Sequence, residues 1–578
     1  MTTETHARMM RGFIVGTAMC LALSAPQAAQ AQLSPAAQRA ATGQANPGRV
    51  QDQLDDRAFS PNVSPSVEVR DIVLQNVPAG AENMRFKLDT IEIEGVSVYT
   101  QGDLQPVYAD KLGQSISLAE LYAISTALTN KYRNDGYILT QVIVPPQTIE
   151  GGRAKLKVVE GYVDQVFVDG TDDANAIKLI QAYAAQLQST TALNAKDLER
   201  HLLLISDLPG VQARSVLGPS PTKPGAAIMR VIVERDPYDA LLALDNFGSR
   251  YLGPWQVTAG GSLNSYFGNN ERISAQTVIA PDSGELAYIG LGYEQPIGTN
   301  GTMLELFTSH TSTEPGFDLD QFDVRGRSQF WSAKIEHPFI RSRSRNLYGH
   351  VMFDWRDVDS KNNLELTRRD RIRAARAGGR YEFLDTLMGV GINALSLEVA
   401  QGLDIFGASN EGDARLTRPA GDPNFTKISG EAQRLQRITS SVNLLVAARG
   451  QLASSALLSS EEFGVGGVGF GRGYDSSEII GDSGVAGKVE AQWRKPYPTT
   501  IVDDYQLYSF FDIGRVWNDD ATTSALKADT ASSAGFGVRA DLMEDTEAGL
   551  AVAFPLNRNI QTQDNDNPRF YFNINRRF

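Results

Sequence analysis

Apolar and polar residues keep two different rhythms along this chain, and the change falls near Pro237. In the earlier part, Leu88, Ile91 and Ile93 lead to Gly95, a strand closed by a turn. Leu118, Leu121, Ile124, Ala127 and Leu128 then share one helix face. Asn134-Asp135-Gly136 stops that helix. Val142 and Val144 alternate until Pro145-Pro146 breaks the strand, and Leu156 and Val158 precede Gly161. This predicts a β-α-β-β unit with a second short helix near 104–112. A similar unit follows. Val166 and Val168 run to Gly170, Ile177, Ile180 and Ala184 mark one helix, and Leu198, Leu202 and Ile205 mark another, closed by Pro209-Gly210. Strands follow at 211–217 and 228–233. Two α+β units of roughly 75 residues, each opening with strand-then-Gly, read as an internal repeat rather than two unrelated domains.

Beyond Pro237 the helical period gives way to alternation. Val485, Gly487, Val489, Ala491 and Trp493 lie on one face of a strand, and Ala486, Lys488, Glu490, Gln492 and Arg494 on the other. Three charges and an amide against none suit a strand with lipid outside and water inside. A Lys or Arg facing lipid at mid-membrane would cost about 2–4 kcal/mol. Leu347, Gly349, Val351, Phe353 and Trp355 alternate likewise against His350 and Asp354. At roughly 21 residues per strand with its connection, residues 237–578 supply about 16 strands. A soluble sandwich or propeller is the competing architecture. The two ends of the chain favour the barrel. Phe570, Phe572, Ile574 and Phe578 share one face of the last segment, which ends on an aromatic. That resembles the terminal strand that bacterial outer-membrane barrels present to their assembly machinery. At the other end, Arg8 and Arg11 precede an apolar stretch at 13–25 and the small-x-small triplet Ala29-Gln30-Ala31, a secretory signal peptide at 1–31.

The 578 residues carry a net charge of −14 and a mean hydropathy of −0.25. The acidic balance argues against nucleic acid as a partner. The mean hydropathy, with no long apolar run after the N-terminus, argues against helical membrane spans. The lone cysteine, Cys20, excludes a disulfide framework, and removal of 1–31 leaves a cysteine-free chain. Residues 32–80 are rich in Ala, Gln, Pro and Asp and read as linker around one short helix at 47–57, with Pro47 near its first turn.

Catalytic motifs fail on context. Gly464-Val465-Gly466-Gly467-Val468-Gly469 has dinucleotide spacing but no following helix. Gly481-Asp482-Ser483-Gly484 has no matching histidine block, and no H-E-x-x-H is present, so neither enzyme activity nor a cofactor or metal is expected. More informative is Gly469-Phe470-Gly471-Arg472-Gly473-Tyr474, a glycine-rich loop around one arginine. On the strand after next, Phe510, Asp512 and Gly514 share a face, directed to the lumen if Phe511 and Ile513 meet lipid. A guanidinium inside a barrel pairs bidentately with a carboxylate, and Gly514 leaves room for a loop against the wall. Asp512 is one partner for Arg472, and Glu490 on the intervening strand is its rival.

At this point the chain resembles a known family. Tyr132-Arg133-Asn134-Asp135-Gly136-Tyr137, Val142-Ile143-Val144-Pro145-Pro146-Gln147 and Val159-Glu160-Gly161-Tyr162-Val163 resemble the first POTRA domain of two-partner secretion transporters of the TpsB (ShlB/FhaC/HecB) family, within the BamA-like outer-membrane superfamily. Leu204-Ile205-Ser206-Asp207-Leu208-Pro209-Gly210 resembles their second POTRA domain, and Asp245-Asn246-Phe247-Gly248-Ser249-Arg250 their first barrel strand. Arg472-Gly473-Tyr474 matches the tip of the loop that folds into the barrel, and Phe510-x-Asp512-x-Gly514 the wall motif that receives it. Gly471 departs from the usual aliphatic residue before Arg-Gly.

The resemblance implies a signal peptide (1–31), a plug helix and linker (32–80), periplasmic POTRA domains at 81–163 and 164–236, and a transmembrane antiparallel barrel (237–578) with an inward loop near 462–484. It implies a monomer in the outer membrane of a Gram-negative bacterium, secreting an extended exoprotein through its pore. Tyr137, Val142, Val144 and Gln147 are the expected client-binding region. The client adds as a strand to an open POTRA edge, and the helix at 47–57 plugs the lumen until displaced. The alternatives are an outer-membrane assembly factor of the same superfamily, a passive porin and an outer-membrane hydrolase.

Overall fold

The computed structural model describes residues 43–55, 67–69 and 76–578, apart from 189–191, 224, 282, 363–365, 498, 500, 521–526 and 544. The signal peptide expected at 1–31 lies outside the described residues.

The first α+β unit packs one long helix on a small sheet. In chain order its elements follow the linker strand β1 (Val67–Val69), so they are β2 (Arg85–Lys87), β3 (Thr90–Glu94), β4 (Ser115–Ser117), β5 (Gln141–Ile143) and β6 (Arg153–Val159). The helices, counted from the N-terminal α1 (Val50–Asp55), are α2 (Gln101–Leu104), continued by two 3-10 turns, and α3 (Leu118–Asn134). Helix α3 starts where Ser117 and Glu120 form a capping box, which satisfies two otherwise orphaned backbone donors. It ends at Gly136, whose φ of +99° suits glycine and beside which a Cβ would lie 2.9 Å from the Asn194 side chain. The apolar face read from the sequence is the buried one: Leu121, Ile124 and Leu128 pack with Leu88, Ile91, Val142, Leu156 and Val158.

The second unit consists of β7 (Tyr162–Asp169), α4 (Ala174–Gln188), α5 (Ala195–Ser206), β8 (Val211–Pro219) and β9 (Ala226–Arg235). Its sheet runs β1-β8-β9-β7, so three residues read as linker form a parallel edge strand on β8. Val-Glu-Val is too short for alternation to mark it as a strand. The two units are joined by backbone. Ala195 donates to the Gly136 carbonyl at 2.8 Å, and Leu193 donates to Gly161 at 2.8 Å.

Of the expected client-binding side chains, Val142 and Val144 point into the domain and are buried in its core, whereas Tyr137 and Gln147 are half-buried. Tyr137 joins an edge-to-face trio with Tyr99 and Tyr132 near the junction of the units. The Tyr132 phenol is pushed well above its usual pKa by burial and then by the Glu160 carboxylate. Gln147 pairs its amide with the Lys155 N–H and C=O, both at 2.7 Å. The edge of β5 is itself occupied: Ser125 donates to the Val142 carbonyl at 2.7 Å, and Thr129 accepts from its N–H at 3.0 Å.

From Tyr238 to the C-terminus, sixteen antiparallel strands close into a barrel, which replaces the sandwich and propeller alternatives. Closure pairs the first strand, Tyr238–Asp245, with the last, Arg569–Arg577, in register Leu241↔Arg577 to Asp245↔Asn573. Full closure leaves no strand edge facing lipid. Asp245 ends the first strand, so the 245–250 motif marks its outer end and the turn beyond. The inside–outside alternation follows the sequence: Val485, Val489 and Trp493 are exposed while Glu490 is buried, and Val351 is exposed while Asp354 is buried. On the last strand Phe570 points outward and Tyr571 inward, and Phe578 continues the pairing with Ala240. The second α+β unit docks on the periplasmic turns, with Asp207 bidentate to Arg341 (2.7 Å twice) and Arg200 donating to the Pro338 carbonyl at 3.0 Å.

Candidate functional site in the barrel lumen

Two segments fold into the water-lined interior. One is the connection between the strands Val442–Ala453 and Ser483–Pro496. It folds inward as a two-stranded hairpin, Phe463–Val465 with Ile479–Gly481. Its buried part begins earlier than the expected 462, since Leu457 to Glu461 are already enclosed. Carboxylates at its base hold it to the wall and to the loop that carries Arg418. Glu461 pairs with Arg376 (2.9 Å) and Lys427 (2.6 Å), and Glu462 and Asp482 pair with Arg418. Asp482 of the protease-like segment is therefore a structural anchor. The 464–469 glycine pattern forms the hairpin's turn, where Gly466 bridges Phe470.

Beyond that turn the chain reaches Arg472. Its Nε and Nη2 donate to the two oxygens of Asp512 at 2.9 and 2.7 Å, a bidentate fork. The backbone N–H groups of Arg472 (3.0 Å) and Gly471 (3.3 Å) donate to the same carboxylate. Glu490 is a second partner rather than a rival: it pairs with Arg472 Nη1 and with Arg539 Nη1, the latter at 2.7 Å. The guanidinium carbon lies 3.6 Å from the centroid of the Phe510 ring. The flanking residues fix the backbone. Tyr571 donates to the Arg472 carbonyl at 2.6 Å, and Tyr474 donates to the Ser532 carbonyl at 2.9 Å. A Cβ on Gly473 would lie 2.7 Å from Ser533, and one on Gly514 would lie 2.6 Å from the Val465 side chain. Gly514 thus makes room for a loop side chain rather than for its backbone.

The second segment is N-terminal. A 3-10 turn, Pro47–Arg49, is capped by Asn46 and runs into α1. Ala45 and Val50 pack with Tyr251, Leu252, Leu286 and Leu319 toward the outer end of the lumen. Arg49 is fully enclosed. It donates to the carbonyls of Ser459 and Glu462, both at 2.8 Å, and to the Ser477 hydroxyl. Arg356 donates to the Gly48 carbonyl at 2.6 Å, and Ser309 donates to Gln51 at 2.9 Å. The helix is described over Val50–Asp55, and the last two residues of the expected span, 56 and 57, lie outside the described residues.

Several contributors escaped the sequence reading: Arg49, Glu461, Asp475, Glu478, Arg569 and Tyr571. Asp475 pairs with Arg569, and Glu478 accepts from Gln44 at 3.0 Å. Arg569 and Tyr571 were legible in principle, since they alternate with Phe570 and Phe572 and so face the lumen. Among the described residues, no group of three or more His, Cys, Asp or Glu side chains can hold a metal ion.

A closed sixteen-stranded barrel with two small α+β units at its periplasmic mouth, and with parts of its own chain in its lumen, defines an outer-membrane transporter. The particular family follows from comparison. Residues 228–540 match the haemolysin secretion/activation protein family ShlB/FhaC/HecB, and residues 86–161 match the ShlB-type POTRA domain, so the chain belongs to that family. It is 22% identical over 541 residues to the heme/hemopexin transporter protein HuxB of Haemophilus influenzae (strain 86-028NP), covering 91% of this chain and 94% of the relative. It is 20% identical over 479 residues to the outer membrane transporter CdiB of Dickeya dadantii, covering 76% and 78%. In fold it is similar to CdiB from Escherichia coli, with a TM-score of 0.69 at 18% identity, covering 92% of this chain and 96% of that one. The protein is an outer-membrane transporter of the two-partner secretion type, with POTRA domains in the periplasm. This separates it from the assembly-factor and porin alternatives.

Proposed function

We propose that this transporter is closed at rest by its own N-terminal segment and opens when an extended exoprotein engages the POTRA sheets. The observation that carries this reading is the seating of residues 43–55 against the inward loop, with Arg49 bonded across to Ser459, Glu462 and Ser477. The segment is built to leave. Its described helical part, Val50–Asp55, is too short to be stable alone in water, so this part depends on the lumen for its shape. Residues 56–66 tie it to β1 on the second POTRA sheet.

A client adding to the edge of β8 must displace β1, and three residues of parallel pairing form a weak competitor. Displacing β1 draws on the linker and so on the plug. The Arg472 contacts hold the loop tip at the wall while the plug moves. The work is transport without catalysis. The client's folding outside supplies the drive, since the periplasm holds no ATP. A single chain suffices for this path.

A reversible tether tests the reading. A Cβ built on Gly48 would lie 3.0 Å from that of Ser460 and 2.8 Å from a Val358 methyl. Disulfides span about 3.5–4.5 Å between Cβ atoms, so the variant G48C/S460C, with V358A to make room, should close after a small adjustment. Oxidised, it should stop secretion, and reductant should restore it. Full secretion by the oxidised form would show that the plug need not leave.

A further inference from the structure

We propose that the outer wall of the barrel carries a binding site for a phosphorylated glycolipid of the surrounding membrane's outer leaflet. The site is built on the strands Arg325–Arg341, Arg345–Lys361 and Leu366–Asp385. These are 17, 17 and 20 residues long, where about 9–11 suffice for a tilted strand to cross the hydrocarbon. Their outer ends therefore stand in the headgroup layer.

The pairing register sets their outward side chains in rows. The lowest holds Ala333, Phe353 and Ala375, the next Trp331, Trp355 and Arg373, then Gln329, Asp357 and Arg371, then Arg327, Asp359 and Arg369, with Arg325 and Lys361 above them. Apolar, aromatic and cationic rows thus follow one another outward. An anionic amphiphile presents acyl chain, ring and phosphate in that order. Rows lie roughly 7 Å apart along the strand, so one molecule reaches all of them.

The lower rows enclose an apolar groove of about 450 Å³, lined by Leu291, Leu306, Trp331, Phe353 and Trp355 among others. Its aromatic rim is held in place. The Arg373 guanidinium carbon lies 3.6 Å from the Trp355 ring centroid, and Phe406 stacks on the same ring. The charges above do not cancel. Asp357 is taken by Arg373 (2.8 Å) and Asp359 by Arg369 (2.9 Å). Among the described residues, Arg327, Arg371 and Lys361 make no ion pair. Three unmatched cations gathered on one face of a chain with net charge −14 suit phosphate oxygens, which guanidinium groups bind in a fork. The adjoining groove makes the anion a lipid rather than a free ion.

Native mass spectrometry of the full-length protein in detergent tests this, with diphosphorylated lipid A, its dephosphorylated form and inorganic phosphate as probes. Wild type should retain lipid A as a one-to-one adduct. R327Q/R371Q should retain at least tenfold less, while R515Q, on the outer face of another strand, should match wild type. Dephosphorylated lipid A should bind as weakly as the double variant binds lipid A, and inorganic phosphate should not displace the adduct. Equal retention by the double variant, equal binding of the dephosphorylated lipid, or displacement by inorganic phosphate would each overturn the site. Heat-dependent gel mobility reports whether the double variant folds. If it does not, the three probes on wild type still decide.

Discussion

Two arginines, Arg472 and Arg49, each hold a piece of the chain inside the barrel, and they do so by different chemistry. Arg472 faces two carboxylates, one of them through a bidentate fork, and its own backbone N–H joins the same network. Arg49 meets two carbonyls and a hydroxyl, all neutral, and among the described residues makes no ion pair. Both sets have a charged donor, but the Arg472 acceptors are ionised as well, which adds a Coulomb attraction that the neutral oxygens around Arg49 do not supply. The loop tip is also tethered at both ends by barrel strands. On the proposed reading, the arginine paired with two acids in the wall is a fixture, and the arginine resting on neutral oxygens is a catch that can release.

The largest test strikes the fixture. Asp512→Arg sets a like charge against Arg472 and removes its fork. Stranding one member of a buried pair costs about 3–5 kcal/mol, which should free the tip from the wall. Secretion of the client should fall to background, while heat-dependent gel mobility still shows an inserted barrel. Normal secretion from this variant would mean that the tip is held by something other than the ion pair, and the contrast with Arg49 would lose its basis.

The next test strikes the catch. Arg49→Ala removes hydrogen bonds from a charged donor, each of which contributes about 1.5–3 kcal/mol. One tenfold change in an equilibrium corresponds to about 1.4 kcal/mol, so plug residence should drop by roughly tenfold or more. Planar-bilayer recordings should show open-channel activity rising by that factor, with client secretion largely kept. Loss of secretion together with a silent channel would place Arg49 among the fixtures.

The two regions also differ in how far the sequence revealed them. The loop tip was legible because its chemistry is local and patterned. A lone arginine among glycines faces a strand whose period-2 alternation turns Phe510, Asp512 and Gly514 inward. The sequence left Asp512 and Glu490 as alternatives because spacing cannot tell whether a fork-shaped guanidinium reaches one carboxylate or two. Only the register, with Lys488 opposite Asp512 and Glu490 opposite Phe510, puts both within reach. The plug was visible as a short helix, but its partners lie hundreds of residues away and carry no local pattern. Two of the expected POTRA residues, Val142 and Val144, are buried for a different reason. Alternation correctly marked Val142 and Val144 as one face of a strand, but that face is the domain's own core. The linker strand at 67–69 was missed because three residues hold too little periodicity to register.

The smallest effect probes how much of the fixture's strength lies outside the ion pair. Tyr571 occupies the lumen face of the last strand and donates to the Arg472 carbonyl, a bond that leaves both acids untouched. Tyr571→Phe deletes one neutral hydrogen bond, worth about 1 kcal/mol. If the carboxylates dominate, secretion should stay within about twofold of wild type, since the tip remains bound in nearly every molecule. The loss should still appear in local opening, because amide exchange reports the free energy of each segment separately. Exchange at residues 471–473 should quicken about fivefold, the factor that 1 kcal/mol gives, with the amides of α1 unchanged. A secretion defect approaching that of Asp512→Arg would mean instead that the last strand, through its inward tyrosine, shares the hold on the tip equally with the acids.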